Sequence, residues 1–314
     1  MIDLENRYQD LLETIPCNLC GADDYRVIYP PQYAAAKPDH LEDSFRSSGD
    51  EILVDQLVQC RQCGLQYLNP RLKENIIIRA YSAGRDETFV SQSAARERTF
   101  ARCLKTIEQC VPAPGKILDV GTAGGAFLSV AQNKGWEVAG CEPNHWLCEW
   151  ARTRYGLSVH AGTIFGMGLR DQSFDVVTLW DVLEHTPDPK KVLKECFRVL
   201  KPNGLIVVNY PDMGSLAARW MGRKWVFLLS IHLYYFTLST IKAMLRQTGF
   251  RTINAQPHWQ SLELNYIFFR MKAYIPWLAE GGQSLARFLK MEKSHVPYWI
   301  GQSLVLARRI QENE

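Results

Sequence analysis

Two short turns in the first seventy residues carry the chain's most specific chemical signal. Cys17-Asn-Leu-Cys20-Gly21 and Cys60-Arg-Gln-Cys63-Gly64 each bring two thiols together, with a glycine relieving strain where they converge. Zn²⁺ takes four tetrahedral ligands at about 2.3 Å from sulfur, and two such turns supply the full set. The competing readings are a pair of redox dithiols and free buried cysteines. A metal ligated by Cys17, Cys20, Cys60 and Cys63 has no open position for chemistry. Its expected task is to hold a small module that cannot bury enough apolar surface unaided.

A second group of residues lies further on. The stretch Lys116 to Ala131 reads as a buried strand, a glycine turn and the start of a helix. Asp119 is a carboxylate at the strand end. Gly121, Gly124 and Gly125 let the backbone turn sharply and approach a ligand. The dinucleotide fingerprint Gly-x-Gly-x-x-Gly fails, because Ala123 and Ala126 stand at its second and third glycines. The phosphate loop fails too, because neither Lys-Ser nor Lys-Thr follows the glycines. Glu142 closes the next apolar run, 21 positions after Gly121. A carboxylate there can accept both ribose hydroxyls of a nucleoside, or it can partner the start of the helix near Asn144.

With Asp119, Gly121, Ala123, Gly125 and Glu142 in place, the chain resembles the class I S-adenosylmethionine-dependent methyltransferases. Their first motif is an acidic strand end followed by Gly-x-Gly-x-Gly, with Ala123 here at the middle position. The resemblance implies that Glu142 holds the cofactor's ribose. It places Thr163 and Ile164 at the adenine, in the loop after the third strand, and Asp181 at the end of the fourth. The segment Trp180-Asp181-Val182-Leu183-Glu184-His185 resembles the family's Glu-His stretch beside the transferred methyl. His185 is one candidate base, since an unperturbed imidazole titrates near neutral pH. His232, in His-Leu-Tyr-Tyr-Phe-Thr, resembles the substrate-side wall of bacterial small-molecule methyltransferases and is the second. The bland readings are that Asp181 and Glu184 cap turns and that both histidines are structural.

These residues need a scaffold, and the alternation from Gly115 onward provides one. Strands are expected at 116–120, 136–142, 157–160, 174–180 and 205–210, with helices at 124–134, 144–155 and 189–200 between them. This pattern implies an α/β fold: a doubly wound, mostly parallel seven-stranded Rossmann-like sheet, with a small zinc-ribbon-like module before it. Ligands in such sheets bind outside the carboxyl ends of the strands, where every residue singled out above falls. A helix over 238–248 and strands near 250–255 and 300–307 finish the pattern. The resemblance makes the last strand antiparallel, inserted between strands five and six. The expected division is a zinc-binding module over 1–70, a helical connector and cofactor cover over 71–114, and a methyltransferase domain over 115–314 with lid insertions at 211–237 and 258–299. The module is expected to contain a short helix at 4–14, a polar loop from Pro30 to Asp50 and a strand from Ile52 to Val58. The second insertion has helical periodicity and fits a lid, a dimer face or a membrane-surface helix. Arg287, Lys290 and Lys293 favour contact with an anionic partner.

At 314 residues and 46% apolar content, the chain can bury one large core or two smaller ones. The net charge of +3 carries no strong nucleic-acid footprint. The acidic N-terminus lacks a signal-like apolar region, and no apolar run is long enough for a membrane span, so a cytoplasmic location is expected. The expected partner is a small-molecule acceptor, methylated by in-line displacement at the cofactor's sulfonium. The cysteine turns add a second resemblance, to bacterial enzymes that methylate sugars and other secondary-metabolite or envelope building blocks. Two alternatives compete: a ribosomal- or transfer-RNA methyltransferase, and a non-enzymatic zinc-linked interaction protein with a vestigial methyltransferase fold.

Overall fold

The structure, a computed structural model, describes residues 11–32, 53–85, 87–272, 275–291 and 294–310. The N-terminal part comprises strands β1 (Leu12–Glu13), β2 (Tyr25–Tyr29), β3 (Leu57–Cys60), β4 (Gln66–Leu68) and β5 (Arg71–Leu72), then helices α1 (Glu74–Ala83), α2 (Glu87–Ser91) and α3 (Ser93–Cys110). Of the helix expected at 4–14, residues 4–10 lie outside the described residues, and Leu12–Glu13 instead pairs with β5 as strand. The loop expected over Pro30 to Asp50 lies outside them from residue 33 onward. The strand expected at Ile52–Val58 is displaced to β3.

From Lys116 the alternation takes over: β6 (Lys116–Val120), α4 (Ala126–Gln132), β7 (Glu137–Glu142), α5 (His145–Tyr155), β8 (His160–Ala161), β9 (Phe174–Trp180), α6 (Pro189–Val199) and β10 (Leu200–Pro211). Ile117 and Leu118 of β6, Val176 and Val177 of β9, and Leu205 to Val208 of β10 are fully buried. That is the composition of strands covered on both faces. The helices start where their caps dictate. Asn144 Oδ1 accepts from Leu147 N at 3.0 Å, and Asp188 Oδ1 accepts from Lys191 N at 2.9 Å, with Pro189 in the first turn.

The remaining elements are α7 (Leu216–Met221), β11 (Tyr234–Tyr235), α8 (Leu238–Gln247), β12 (Phe250–Pro257), β13 (Gln260–Glu263), α9 (Leu264–Met271), α10 (Pro276–Phe288), β14 (His295–Tyr298) and β15 (Gln302–Arg309). The central sheet has seven strands in the order β12-β15-β10-β9-β6-β7-β8. β15 runs antiparallel to both β10 and β12 and lies between them, as the resemblance implied.

Both expected insertions are built differently from the expectation. Within 211–237, β11 pairs antiparallel with β4 through Tyr234↔Tyr67 and Tyr235↔Gln66, and so forms the edge of the sheet β11-β4-β3-β2. Tyr234, Tyr235 and Phe236 are buried, and burying that aromatic run favours the pairing. Within 258–299, β13 and β14 pair antiparallel and bracket α9 and α10. Their partners lie more than thirty residues apart, so helical periodicity was the only local signal. The outer face of α10 leaves Trp277, Leu285 and Phe288 exposed; Lys293 lies outside the described residues. No helix among the described residues is long and apolar enough to cross a membrane.

Candidate active site

The carboxyl ends of β6, β7, β9 and β10 open into one cavity of about 700 Å³, within the size range of small-molecule sites. Its floor is the turn after β6. Gly121 adopts φ +67°, and a Cβ there would meet Val182 Cγ2 at 2.8 Å. Gly125 adopts φ +79°, with a Cβ meeting Leu157 Cδ1 at 2.9 Å. Only glycine fits either position. Ala123 shares the left-handed region at φ +48° despite its side chain. Its N–H donates to Glu142 Oε2 at 2.9 Å, which fixes the loop in that strained form.

Glu142 is buried at the end of β7. Its Oε1 accepts from Asn144 N at 2.8 Å, so the helix-start role is present. A carboxylate offers about four lone-pair positions, so the two backbone donors leave others open, one of them toward the Tyr81 hydroxyl. Asn144 in turn donates to Tyr81 O and Gly84 O, both at 2.8 Å. The end of α1 is thereby pinned beside Glu142, and Ile77, Tyr81 and Phe89 form part of the cavity wall. Asp119 Oδ1 accepts from Thr178 Oγ1 at 2.6 Å, while Oδ2 is buried without a partner among the described residues. Burial pushes both carboxyls up, each to about 7. Thr163 and Ile164 line the same end of the cavity.

The opposite end is polar in a different way. Asp181 has φ +51°, and its Oδ1 accepts from Asn209 Nδ2 at 2.6 Å and Gln302 Nε2 at 2.9 Å. Burial raises its carboxyl to about 6. His185 and His232 meet edge to face with ring centroids 4.6 Å apart. His185 Nδ1 lies 3.0 Å from Ile231 O, and His232 Nδ1 lies 2.8 Å from Phe227 O. A carbonyl can only accept, so each Nδ1 carries the proton and each Nε2 keeps its lone pair. Burial lowers His185 to about 4 and, with the neighbouring His185, holds His232 well below the usual imidazole range, so both rings are neutral near pH 7.

The structure thus brings Asp119, Gly121, Ala123, Glu142, Thr163, Ile164, Asp181, His185 and His232 to one cavity. Gly125 lies behind the wall, as the residue that lets α4 begin. Cys17, Cys20, Cys60 and Cys63 stand apart in their own cluster. Their four Sγ atoms lie within 4.8 Å of one another, with Cys17 and Cys63 at 3.4 Å and Cys20 and Cys60 at 3.5 Å. Sulfurs around a tetrahedral ion with bonds of about 2.3 Å sit roughly 3.8 Å apart, so the cluster fits Zn²⁺ with little movement. Gly21 N returns to Cys17 O at 2.7 Å and Gly64 N to Cys60 O at 3.0 Å, closing the two turns.

Glu184 lies in the cavity with His185, as the resemblance of the Glu-His stretch implied. Two cavity residues were missed at the sequence level for want of a signal. His258 on the sheet edge and Gln302 on β15 carried none, since only the closed sheet brings them to the cavity.

A doubly wound sheet with a glycine turn after its first strand, a carboxylate closing the second and an antiparallel strand next to the edge is the Rossmann-like methyltransferase fold. The sequence profile of the methyltransferase domain matches residues 95–255, just over half of the chain, and the chain belongs to that family. Among similar curated proteins is the ubiquinone biosynthesis O-methyltransferase of Coxiella burnetii (strain Dugway 5J108-111), 32% identical over 134 residues, which are 40% of this chain and 57% of that protein. The protein of the same name from Pseudomonas fluorescens (strain SBW25) is 34% identical over 97 residues, 29% of this chain and 42% of its own length. The chain therefore spans about half the length of the curated relatives it matches. A solved SAM-dependent methyltransferase from Archaeoglobus fulgidus superposes with a TM-score of 0.49 at 18% identity, covering 71% of this chain and all of that one.

Proposed function

We propose that this protein transfers a methyl group from S-adenosylmethionine to a hydroxyl of a small-molecule acceptor. The observation that carries the reading is the single cavity that runs from the Glu142 and Asp119 carboxylates to the His185–His232 pair. S-adenosylmethionine would supply a methyl carbon already activated by its sulfonium charge. The residues present fit that cofactor: Gly121 leaves backbone room that a Cβ would close, and Asp119 Oδ2 is a buried acceptor without a partner among the described residues. The remaining lone-pair positions of Glu142 would accept the ribose hydroxyls, while Thr163 and Ile164 would flank the adenine. Asp181, held rigid by Asn209 and Gln302, would face the middle of the ligand.

The acceptor would lie on the histidine side. His185 and His232 present neutral Nε2 atoms there, able to accept a hydrogen bond from a nucleophilic hydroxyl and orient it in line. The O-methyltransferase names of the curated relatives support oxygen as the nucleophile. The finer reading, a sugar or other envelope or secondary-metabolite building block, rests on the resemblance of the paired cysteine turns. We read those turns as a structural Zn²⁺ site. The reading is tested by calorimetric titration with S-adenosylhomocysteine, followed by labelled-methyl transfer to a panel of sugars and phenols. Micromolar binding with label in a hydroxyl acceptor is expected. A zinc-replete protein that binds no S-adenosylhomocysteine refutes it.

A further inference from the structure

Glu184 is a buried cavity residue that the methyl-transfer reading leaves without a task. It is 1% exposed, yet neither of its carboxylate oxygens has a hydrogen-bond partner among the described residues. An unsatisfied buried carboxyl costs about 1–3 kcal/mol or more, so its retention points to something that binds there. One donor atom each from Glu184, His185 and His232 lies within 4.8 Å of the others.

We propose that Glu184, His185 and His232 are the ligands of a divalent transition-metal cation, distinct from the four-cysteine site and open toward the acceptor end of the cavity. The groups that would hold the ligands in place are already present. Metal-bound imidazoles characteristically donate their other N–H to a carbonyl or carboxylate, which fixes the tautomer and aims the free nitrogen. Both histidines do so, to Ile231 O and Phe227 O. The ligand backbone is anchored as well. Leu233 N donates to Glu184 O at 2.7 Å, and Leu68 N donates to Leu233 O at 2.9 Å, tying the cluster to β4. Asp181 stands outside the set: its Oδ1 accepts from two amide donors, and it is not among the donors gathered within 4.8 Å of one another. Donors around a cation at about 2.0–2.2 Å sit roughly 3–3.5 Å apart, so side-chain adjustments of about an ångström close the site.

The donor chemistry selects the ion. Two imidazoles and one carboxylate suit Zn²⁺, Fe²⁺ or Co²⁺, whereas Mg²⁺ and Ca²⁺ prefer all-oxygen shells. Three protein ligands leave at least one position open. In its role this proposal rests on the methyl-transfer reading, since with the cation bound its open position would take the acceptor oxygen that the two Nε2 atoms otherwise receive by hydrogen bond. Cation binding itself does not depend on that reading.

The test is a Co²⁺ titration of the full chain, with the electronic spectrum and the metal-to-protein ratio both recorded. Thiolate-bound Co²⁺ gives an intense charge-transfer band that an imidazole–carboxylate site lacks, so the two sites are counted separately. The wild type is expected to take up one Co²⁺ equivalent without that band. Glu184→Gln and His232→Gln are each expected to weaken this equivalent by tenfold or more while keeping the thiolate signal. If Glu184→Gln fails to fold, His232→Gln carries the comparison. Cobalt uptake confined to the thiolate site, or wild-type affinity in both variants, overturns the proposal. S-adenosylhomocysteine binding is measured in parallel: its absence from the wild type sinks the methyl-transfer reading alone, and the cobalt count still decides the metal site.

Discussion

Replacing Glu142 by alanine tests the cofactor reading most directly. In the free protein the carboxylate already accepts two backbone N–H groups, from Ala123 and Asn144. Two ribose hydroxyls on its remaining positions would add up to two hydrogen bonds to a charged acceptor, one of them in competition with the Tyr81 hydroxyl. At about 1.5 kcal/mol each, the low end for charged groups, that is roughly 3 kcal/mol. Some of this is lost near neutrality. With the carboxyl raised to about 7, half the population must release a proton before binding, at about 0.4 kcal/mol. The expected penalty of Glu142→Ala is therefore about 2–3 kcal/mol, or roughly 30- to 150-fold in Kd for S-adenosylhomocysteine. The substitution also strands two N–H groups, so thermal unfolding is recorded alongside to show that the variant is folded at the titration temperature. A cycle with a 2′-deoxyribose analogue isolates the contact, since the analogue has already lost one of the two hydroxyls. It is expected to suffer about half the penalty from the same substitution. A variant that binds within threefold of wild type, or an analogue penalised as fully as the parent ligand, would refute the ribose contact.

Three further outcomes are expected. Asp119 and Glu142 are both raised to about 7, and a ligand that accepts only their ionised forms binds more tightly as pH rises through that value and levels off above it. Calorimetry across that range checks the sign; the unliganded fold should show the opposite trend, losing stability between about pH 4 and pH 7, where the unfolded carboxyls ionise first. Ala123→Gly removes about 1–2 kcal/mol of left-handed strain and returns about 0.4–1 kcal/mol of chain entropy to the unfolded state, so the melting temperature should hold or rise; a clear fall contradicts the strained loop. Cys20→Ser should abolish zinc retention and lower the melting temperature by roughly 6 °C, for about 3 kcal/mol at about 2 °C per kcal/mol. Zinc analysis with calorimetric melting decides that outcome, and an unchanged melting temperature in a zinc-free variant would remove the structural role.

The parts of this protein that were legible in its sequence are those set by short-range chemistry. Apolar runs of five to seven residues marked β6, β7 and β9; Asp188-Pro189 and Asn144 marked helix starts; and the spacing Cys-x-x-Cys-Gly marked two turns that do converge. The parts that were not legible depend on contacts across long stretches of chain. Tyr234 pairs with Tyr67, and Gln260 with Tyr298, with no turn residues near either pair to announce a hairpin. Glu184 followed the same rule. Its character comes from what fails to reach it, and a missing partner leaves no trace in a linear pattern.

The pairing of β11 with β4 also bears on how the protein is made. A ribosome delivers the cysteine turns first, yet the sheet that holds Cys60 keeps an uncovered edge until residue 235 has emerged. Until then β4 presents unpaired backbone groups and the buried face of Tyr67, the kind of edge that recruits stray strands. The N-terminal module is thus assembled from both halves of the translation product. A nascent chain stalled before Tyr234, or a fragment cut between module and catalytic core, should be sticky, while two such fragments mixed together hold the complementary pieces of one sheet.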